Sequence, residues 1–226
     1  GIVPDPIEMK NIDNDKAGID IRPVPLSCEE GAMLRVSAQL RTMPQNPVTL
    51  RPVITDSDGR ETDEASIAGD AVELSYAQAD YNQPQEFDIQ CLTDDVVDGD
   101  QVWRLSFAVT SDGADYGDPD QNFSVEGRTV DVDKGGFEVR CDRYDIQEVD
   151  EMSCQVVLNS KPQNVVTIHV ESSDPEYGVQ VSGAPGIVFE ANDPEWNSGK
   201  TFSFIGSTDD VVDGTKNVRL SFTSDS

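Results

Sequence analysis

The chain has 226 residues, 44 of them Asp or Glu and 16 Lys or Arg, for a formal charge of -28. That excess argues against phosphate backbones and anionic lipid as partners, and for cations and an extracellular or cell-surface setting. No run approaches the ~20 apolar residues of a membrane-spanning helix, so this segment is expected not to insert into a membrane.

The first residues, starting at Gly1, carry no basic-then-apolar leader, so the chain reads as a piece of a longer precursor. Residues 1–14 lead into Ile12-Asp13-Asn14-Asp15-Lys16-Ala17-Gly18-Ile19, which matches Val130-Asp131-Val132-Asp133-Lys134-Gly135-Gly136-Phe137 at an offset of 118. They are predicted to be the last strand of a preceding repeat. Next, Leu34, Val36, Ala38 and Leu40 alternate with polar residues, as do Met152, Cys154, Val156 and Leu158 further on. Trp103, Leu105 and Phe107 line one face, and Val218, Leu220 and Phe222 line another. A period of two marks strands with one packed and one wet face. Turn pairs such as Asp58-Gly59, Asp98-Gly99 and Asp112-Gly113 separate the runs. No helical period is sustained, so the prediction is all-β, with tandem antiparallel β-sandwich domains of immunoglobulin type.

The chain also repeats itself. Thr93-Asp94-Asp95-Val96-Val97-Asp98-Gly99 returns as Thr208-Asp209-Asp210-Val211-Val212-Asp213-Gly214, and Arg104-Leu105-Ser106-Phe107 returns as Arg219-Leu220-Ser221-Phe222. A period of this size is a whole domain. The predicted boundaries are therefore 15–132 for one repeat and 133–226 for a second that lacks its last strand. The segment Ile7 to Ile12 resembles Val125 to Val130 and could complete the second repeat of another molecule head to tail. Alternatively, the next stretch of a longer chain does so.

Cys28 and Cys91 fall in the first repeat, Cys141 and Cys154 in the second, and none has a cysteine counterpart in the other. The pattern predicts the disulfides Cys28–Cys91 and Cys141–Cys154, which suits an oxidising compartment. The sequon Asn122-Phe123-Ser124 is compatible with secretion.

Acidic groups recur in four places. They are Glu30 and Glu148; Asp56 with Asp58, and Asp174 with Glu176; Asp94, Asp95 and Asp98, and Asp209, Asp210 and Asp213; and the joints Asp13 with Asp15 and Asp131 with Asp133. Alternate loops of a Greek-key sandwich gather at one end, where carboxylates would repel one another unless a cation joined them. Ca2+ suits such a set because it takes six to eight oxygen ligands in flexible geometry, whereas Mg2+ is stricter. No Gly-x-Ser-x-Gly elbow or phosphate loop occurs, and the single histidine, His169, sits on the wet side of its strand. The chain is expected not to be an enzyme.

The run of Glu148, Leu158-Asn159-Ser160-Lys161-Pro162, Ser172-Ser173-Asp174, Trp196-Asn197 and Thr208 to Gly214 resembles the Calx-beta repeat. That family includes the calcium-binding domains of sodium–calcium exchangers and repeats of large surface and matrix proteins. The resemblance implies ligands at Glu30, the Asp56/Asp58 loop, Asp94, Asp95, Asp98, Asp131 and Asp133. Copy one departs from it at Tyr81-Asn82, where copy two has Trp196-Asn197, and Thr93 and Gln101 stand where the exchanger pattern has acids. The expected role is a structural spacer whose joints calcium stiffens, part of a filament or surface fibre, with neighbouring repeats as partners. An adhesin and a calcium-sensing interaction module are the alternatives.

Overall fold

The computed structural model describes residues 8–113, 115–118, 123–176, 178–182, 186–208, 210, 212 and 214–225. Among them every regular element is a strand, and none is a helix long and apolar enough to cross a membrane. The chain divides into two compact units. One comprises residues 1–93 and 100–130, the other 94–99 and 131–226.

The first unit contains β1 (Ile19–Arg22), β2 (Leu26–Glu29), β3 (Met33–Leu40), β4 (Val48–Thr55), β5 (Ala65–Ile67), β6 (Leu74–Tyr76), β7 (Gln85–Cys91), β8 (Gln101–Thr110) and β9 (Ser124–Val130). They form two sheets, β1-β3-β7-β5 and β2-β9-β8-β4-β6. The run β9-β8-β4 facing β1-β3-β7-β5 is the immunoglobulin-type sandwich. The expected alternation holds: Val36, Ala38 and Leu40 are buried from one sheet, and Trp103, Leu105 and Phe107 from the other. Phe87 meets Phe107 edge to face across the layers, with centroids 6.2 Å apart. Between β1 and β2 the chain crosses from one sheet to the other at Pro23 and Pro25, residues that cannot donate to a ladder. It then runs parallel to β9, with Leu26 beside Gly127.

One close packing contact joins β8 and β9. Gly127 lies opposite Trp103, and a Cβ at residue 127 would come within 2.2 Å of the indole ring. The ring takes the space that only glycine leaves open. The Trp103 Nε1–H donates to Thr129 Oγ1 (3.1 Å), and the Thr129 hydroxyl donates to the carbonyl of Glu64 (2.9 Å).

The second unit contains β10 (Phe137–Cys141), β11 (Glu151–Leu158), β12 (Val166–Ser172), β13 (Val179–Ser182), β14 (Gly186–Phe189), β15 (Lys200–Gly206) and β16 (Leu220–Asp225). Its sheets are β10-β11-β15-β13 and β14-β12-β16. Met152, Cys154, Val156 and Leu158 are all buried, again at period two. Leu220 and Phe222 are half-buried on β16, which lies at the edge of its sheet among the described residues. Residues 8–14, expected as a strand of a preceding repeat, form none here and lie exposed. Ile7 is outside the described residues.

Both predicted disulfides form. Cys28–Cys91 joins β2 in one sheet to the end of β7 in the other, and Cys141–Cys154 links directly opposed residues of β10 and β11. The bridged residues are 63 and 13 positions apart. In the chain-entropy picture the bridges stabilise by about 4 and about 3 kcal/mol. Urea denaturation of paired Cys→Ala variants is expected to show the larger loss for Cys28/Cys91.

A buried ionic contact holds the loop before β15. Asp193, 6% exposed, accepts the N–H groups of Glu190 (3.1 Å) and Glu195 (2.9 Å) and the ammonium of Lys200 (2.5 Å). Lys200 also lies over the ring of Phe189, 5.0 Å from its centroid. The bond from Lys200, then that from the Glu195 N–H, holds the Asp193 carboxyl below the ordinary 3.8. A depressed folded-state pKa gives stability that is complete above the unfolded value and is lost as pH falls through the region below about 4. Asp193→Asn is therefore expected to lower the melting temperature at pH 7 and to shrink the difference between melts at pH 7 and pH 3. Calorimetry at the two pH values checks this.

Candidate metal centre

The repeated aspartates are placed by turns that they themselves cap. In the loop 94–99, which clusters with the second unit, Asp94 Oδ1 accepts the N–H of Val96 (2.8 Å), and Val96 is buried. Such a turn follows from an Asp two residues ahead of the amide that it binds. Asp95 has a left-handed backbone, φ 63°, and its carbonyl accepts the N–H of Lys161 (2.7 Å). Asp131 repeats the capping device further on. Its Oδ1 accepts the N–H of Asp133 (2.7 Å), and its Oδ2 accepts the N–H of Gly99 (2.7 Å). The second bond pins the end of the loop 94–99 to the segment 131–133.

These bonds bring acids together. A carboxylate oxygen of Asp94 lies within 4.8 Å of one from Asp133, and, in a separate approach, one of its oxygens lies within 4.8 Å of one from Asp98. Asp133 is half-buried and turns one carboxylate oxygen, Oδ2, away from solvent. Two carboxylate charges 4.8 Å apart repel by about 0.9 kcal/mol in water and about 3.5 kcal/mol at an effective dielectric of 20. Each Asp131 oxygen accepts one N–H and keeps a second lone pair. The donor set is all oxygen, the chemistry of Ca2+ or Mg2+ and not of zinc.

In the first unit, Glu30 follows β2, and its N–H binds the carbonyl of Val130 (3.1 Å). It is half-buried, with one carboxylate oxygen shielded from solvent. A glutamate that the repeat pattern passed over, Glu64, lies at the same end of the unit. Its carbonyl accepts the N–H of Leu92 (2.9 Å) in addition to the hydroxyl of Thr129. Its counterpart at the offset of 118 is Ser182, so a search for recurring acids does not find it.

Other predicted ligands are otherwise engaged. Asp56 Oδ1 accepts the N–H groups of Asp58 and Arg60, both at 2.8 Å, and Asp58 pairs with the guanidinium of Arg60 (2.5 Å). Both carboxylates thus find partners within their own loop. Asp13 accepts the N–H of Asp15 (3.0 Å), the same turn as at Asp131, but both residues are exposed. In the second unit, Glu148 accepts from the Thr208 hydroxyl (3.4 Å), the carbonyl of Asp174 accepts the N–H groups of Gly178 and Val179, and Glu176 and Asp210 are exposed. Among the described residues, no group of three close acids includes Asp13, Asp15, Asp56, Asp58, Asp95, Asp131, Glu148, Asp174, Glu176 or Asp210. Asp209 and Asp213 are outside the described residues. His169 projects from β12 between the buried Ile168 and Val170, and its Nε2 bonds Asp225 (2.7 Å).

No protein-family model and no curated protein sequence matches the chain. Among solved structures it is similar to the class 5 fimbriae chaperone CfaA, at 10% identity over 91% of this chain and 98% of that one, with a TM-score of 0.33. A chaperone–tip adhesin complex of CFA/I fimbriae biogenesis is also similar, at 10% identity over 90% and 94% of the two chains, with a TM-score of 0.33. So is the α-2-macroglobulin of Salmonella reacted with methylamine, at 9% identity over 88% of this chain and 16% of that one, with a TM-score of 0.32. Likenesses this distant carry no argument about function.

Asp131 caps two amides on separate segments, so its loss is expected to be felt without any metal. In chelator, Asp131→Ala should cost about 1–2 kcal/mol, the range for a capping carboxylate. Asp131→Asn, which keeps one acceptor oxygen, should recover part of this in denaturant titrations.

Proposed function

We propose that this chain is a structural segment of an extracellular protein, built from tandem Calx-beta-like sandwiches and stiffened by calcium where one sandwich follows the next. The observation that carries the reading is the approach of Asp94 to Asp133 and, separately, to Asp98, with the tie from Asp131 to Gly99. These aspartates come from two stretches far apart in sequence, 94–98 and 131–133. A cation shared between them would replace repulsion by attraction and hold the two stretches as one element. Asp94, Asp98, Asp131 and Asp133 would hold the ion. Glu30 joins them on the strength of the Calx-beta resemblance. A flexible all-oxygen set with water completing the shell suits Ca2+ better than Mg2+. The two disulfides fit the oxidising surroundings in which such a protein works.

A spacer in calcium-rich fluid needs a Kd of only about 10⁻⁴–10⁻³ M, whereas a sensor needs about 10⁻⁷–10⁻⁵ M. Calcium at 100 times its Kd is expected to add about 2.7 kcal/mol per site to stability. Isothermal titration and thermal melts with calcium and with chelator measure both quantities. Asp94→Ala and Asp133→Ala should abolish most of the shift, and Asp112→Ala, at an exposed turn outside the group, should leave it intact. Identical melts with calcium and with chelator would overturn the reading.

A further inference from the structure

The two disulfides stand in different places in their sandwiches. Cys28–Cys91 joins one sheet of the first unit to the other, with Cα atoms 6.2 Å apart and Cys91 fully buried. Cys141–Cys154 lies within a single sheet of the second unit, between residues that the β10–β11 register sets directly opposite each other. In that ladder the N–H of Asp142 donates to the carbonyl of Ser153, and the N–H of Asn159 to that of Gly136, both at 2.9 Å. Hydrogen-bonded pairs therefore fall at 142/153 and 136/159. The pairing alternates along the strands, so 141/154 is a pair without ladder bonds between its members. Such pairs sit about 4.5 Å apart in Cα, closer than the ~5.5–6 Å that disulfides prefer. At 4.0 Å, Cys141 and Cys154 fall short of that span, and a bridge held off its preferred span is easier to reduce.

The bridge also duplicates ties that the ladder already supplies. β10 pairs with β11 from Phe137 to Cys141, and just beyond it Asp142 donates to Ser153 and accepts the Ser153 N–H at its Oδ1 (3.1 Å). The bridged residues are 13 positions apart, so opening the bond frees little chain. Cys154 is 1% exposed and packs with Met152, Val170 and Phe204; its counterpart in the first unit is Val36, also buried. A neutral Cys thiol behaves as a small apolar group, so the reduced side chain suits that position. Cys141 is half-buried. Its counterpart Pro23 is exposed, and β1, the counterpart of β10, is likewise outermost in its sheet. Access at this position is therefore common to both units.

We infer that Cys141–Cys154 is a redox-active disulfide, which a dithiol reductant opens in the folded protein while Cys28–Cys91 stays closed. A thiolate of the reductant attacks Sγ of Cys141. The S–S bond breaks toward Cys154, whose sulfur takes the electron pair and then a proton, and a mixed disulfide joins Cys141 to the reductant. The second thiolate of the reductant attacks the reductant's sulfur in that mixed disulfide, and Cys141 leaves as a thiolate. Two electrons have then passed to the protein, and the reductant has become a disulfide. The open form carries one accessible thiol, Cys141, and one core thiol, Cys154. The inference is separate from the calcium reading, since neither cysteine is a proposed ligand.

The test equilibrates the full chain in dithiothreitol buffers of graded reduced-to-oxidised ratio. Samples are quenched into denaturant with excess N-ethylmaleimide, and mass spectrometry locates the label. Circular dichroism follows the fold before the quench. Cys141 and Cys154 should become labelled at a ratio about tenfold lower than Cys28 and Cys91, with the β-sheet spectrum retained. Opening of both pairs together, or of Cys28–Cys91 first, overturns the inference. So does loss of the spectrum as Cys141–Cys154 opens. Two variants test access apart from reduction. Cys154→Val, which copies Val36, leaves Cys141 as a lone thiol, and Cys141→Ser leaves Cys154 as one. In the folded chains, dithiobis(nitrobenzoate) should react with the first and should leave the second untouched until denaturant is added. A Cys141 thiol that stays unreacted in the folded Cys154→Val chain overturns the inference, as does a Cys154 thiol that reacts as fast as Cys141.

Discussion

The geometry of the first sandwich depends on one steric condition, that residue 127 has no side chain. The Trp103 ring occupies the space that a Cβ at residue 127 would fill. Its indole N–H then reaches Thr129, and Thr129 reaches the carbonyl of Glu64. Through these contacts the final residues of β9 are held against the loop before β5. Val130, the last residue of β9, receives the N–H of Glu30, and Asp131 follows it directly. The end of β9 is therefore set by packing.

Electrostatics follows a different rule on the strand faces than in the turns. Arg35 pairs with Asp88, Arg41 with Asp20 and Arg140 with Glu138, on or just beside the strands. The bond from Arg35 holds Asp88 below the usual carboxylate range. Such pairs contribute little to stability in water. Other carboxylates sit in turns where they accept backbone amides, as at Asp56, Asp94, Asp131 and Asp193. The amide-capped aspartate is thus the local unit from which several loops of this protein are built.

The sequence made the layers legible because period-two alternation reflects burial directly. Leu34 to Leu40, Met152 to Leu158 and Trp103 to Phe107 are each strands with the inner face where the pattern puts it. The cysteine pairing was legible for a similar reason, as residues present in one half and not in the other constrain each other. The acidic groups were legible only in part. An aspartate two residues ahead of an amide can cap its own turn or serve a ligand, and the spacing is the same for both. Asp56 spends its oxygen on Asp58 and Arg60, whereas Asp94 caps Val96 and still approaches Asp98 and Asp133. Only the neighbouring chain segments decide between these outcomes. Asp193, which has no counterpart pattern to mark it, became visible only through the burial of its loop and the approach of Lys200. The crossing of the chain between sheets at Pro23–Pro25, and the parallel alignment of β2 with β9, leave no periodic trace at all.

That parallel alignment bears on how the protein is made. β2 lies beside β9, and Leu26 meets Gly127 only after the intervening strands have been laid down. Contacts between residues so distant along the chain form late, because the loop must close before the ladder gives anything back. On a ribosome that releases the chain from its N-terminus, β3, β4 and β7 can associate while β2 has no neighbour, and the first sandwich closes only when Val130 has emerged. Asp131 is the next residue out. The loop 94–99 is by then already synthesised, so Gly99 meets its carboxylate partner in the same interval in which the sheet closes. Sheet closure and ordering of the acidic turn are therefore coupled in time during vectorial synthesis.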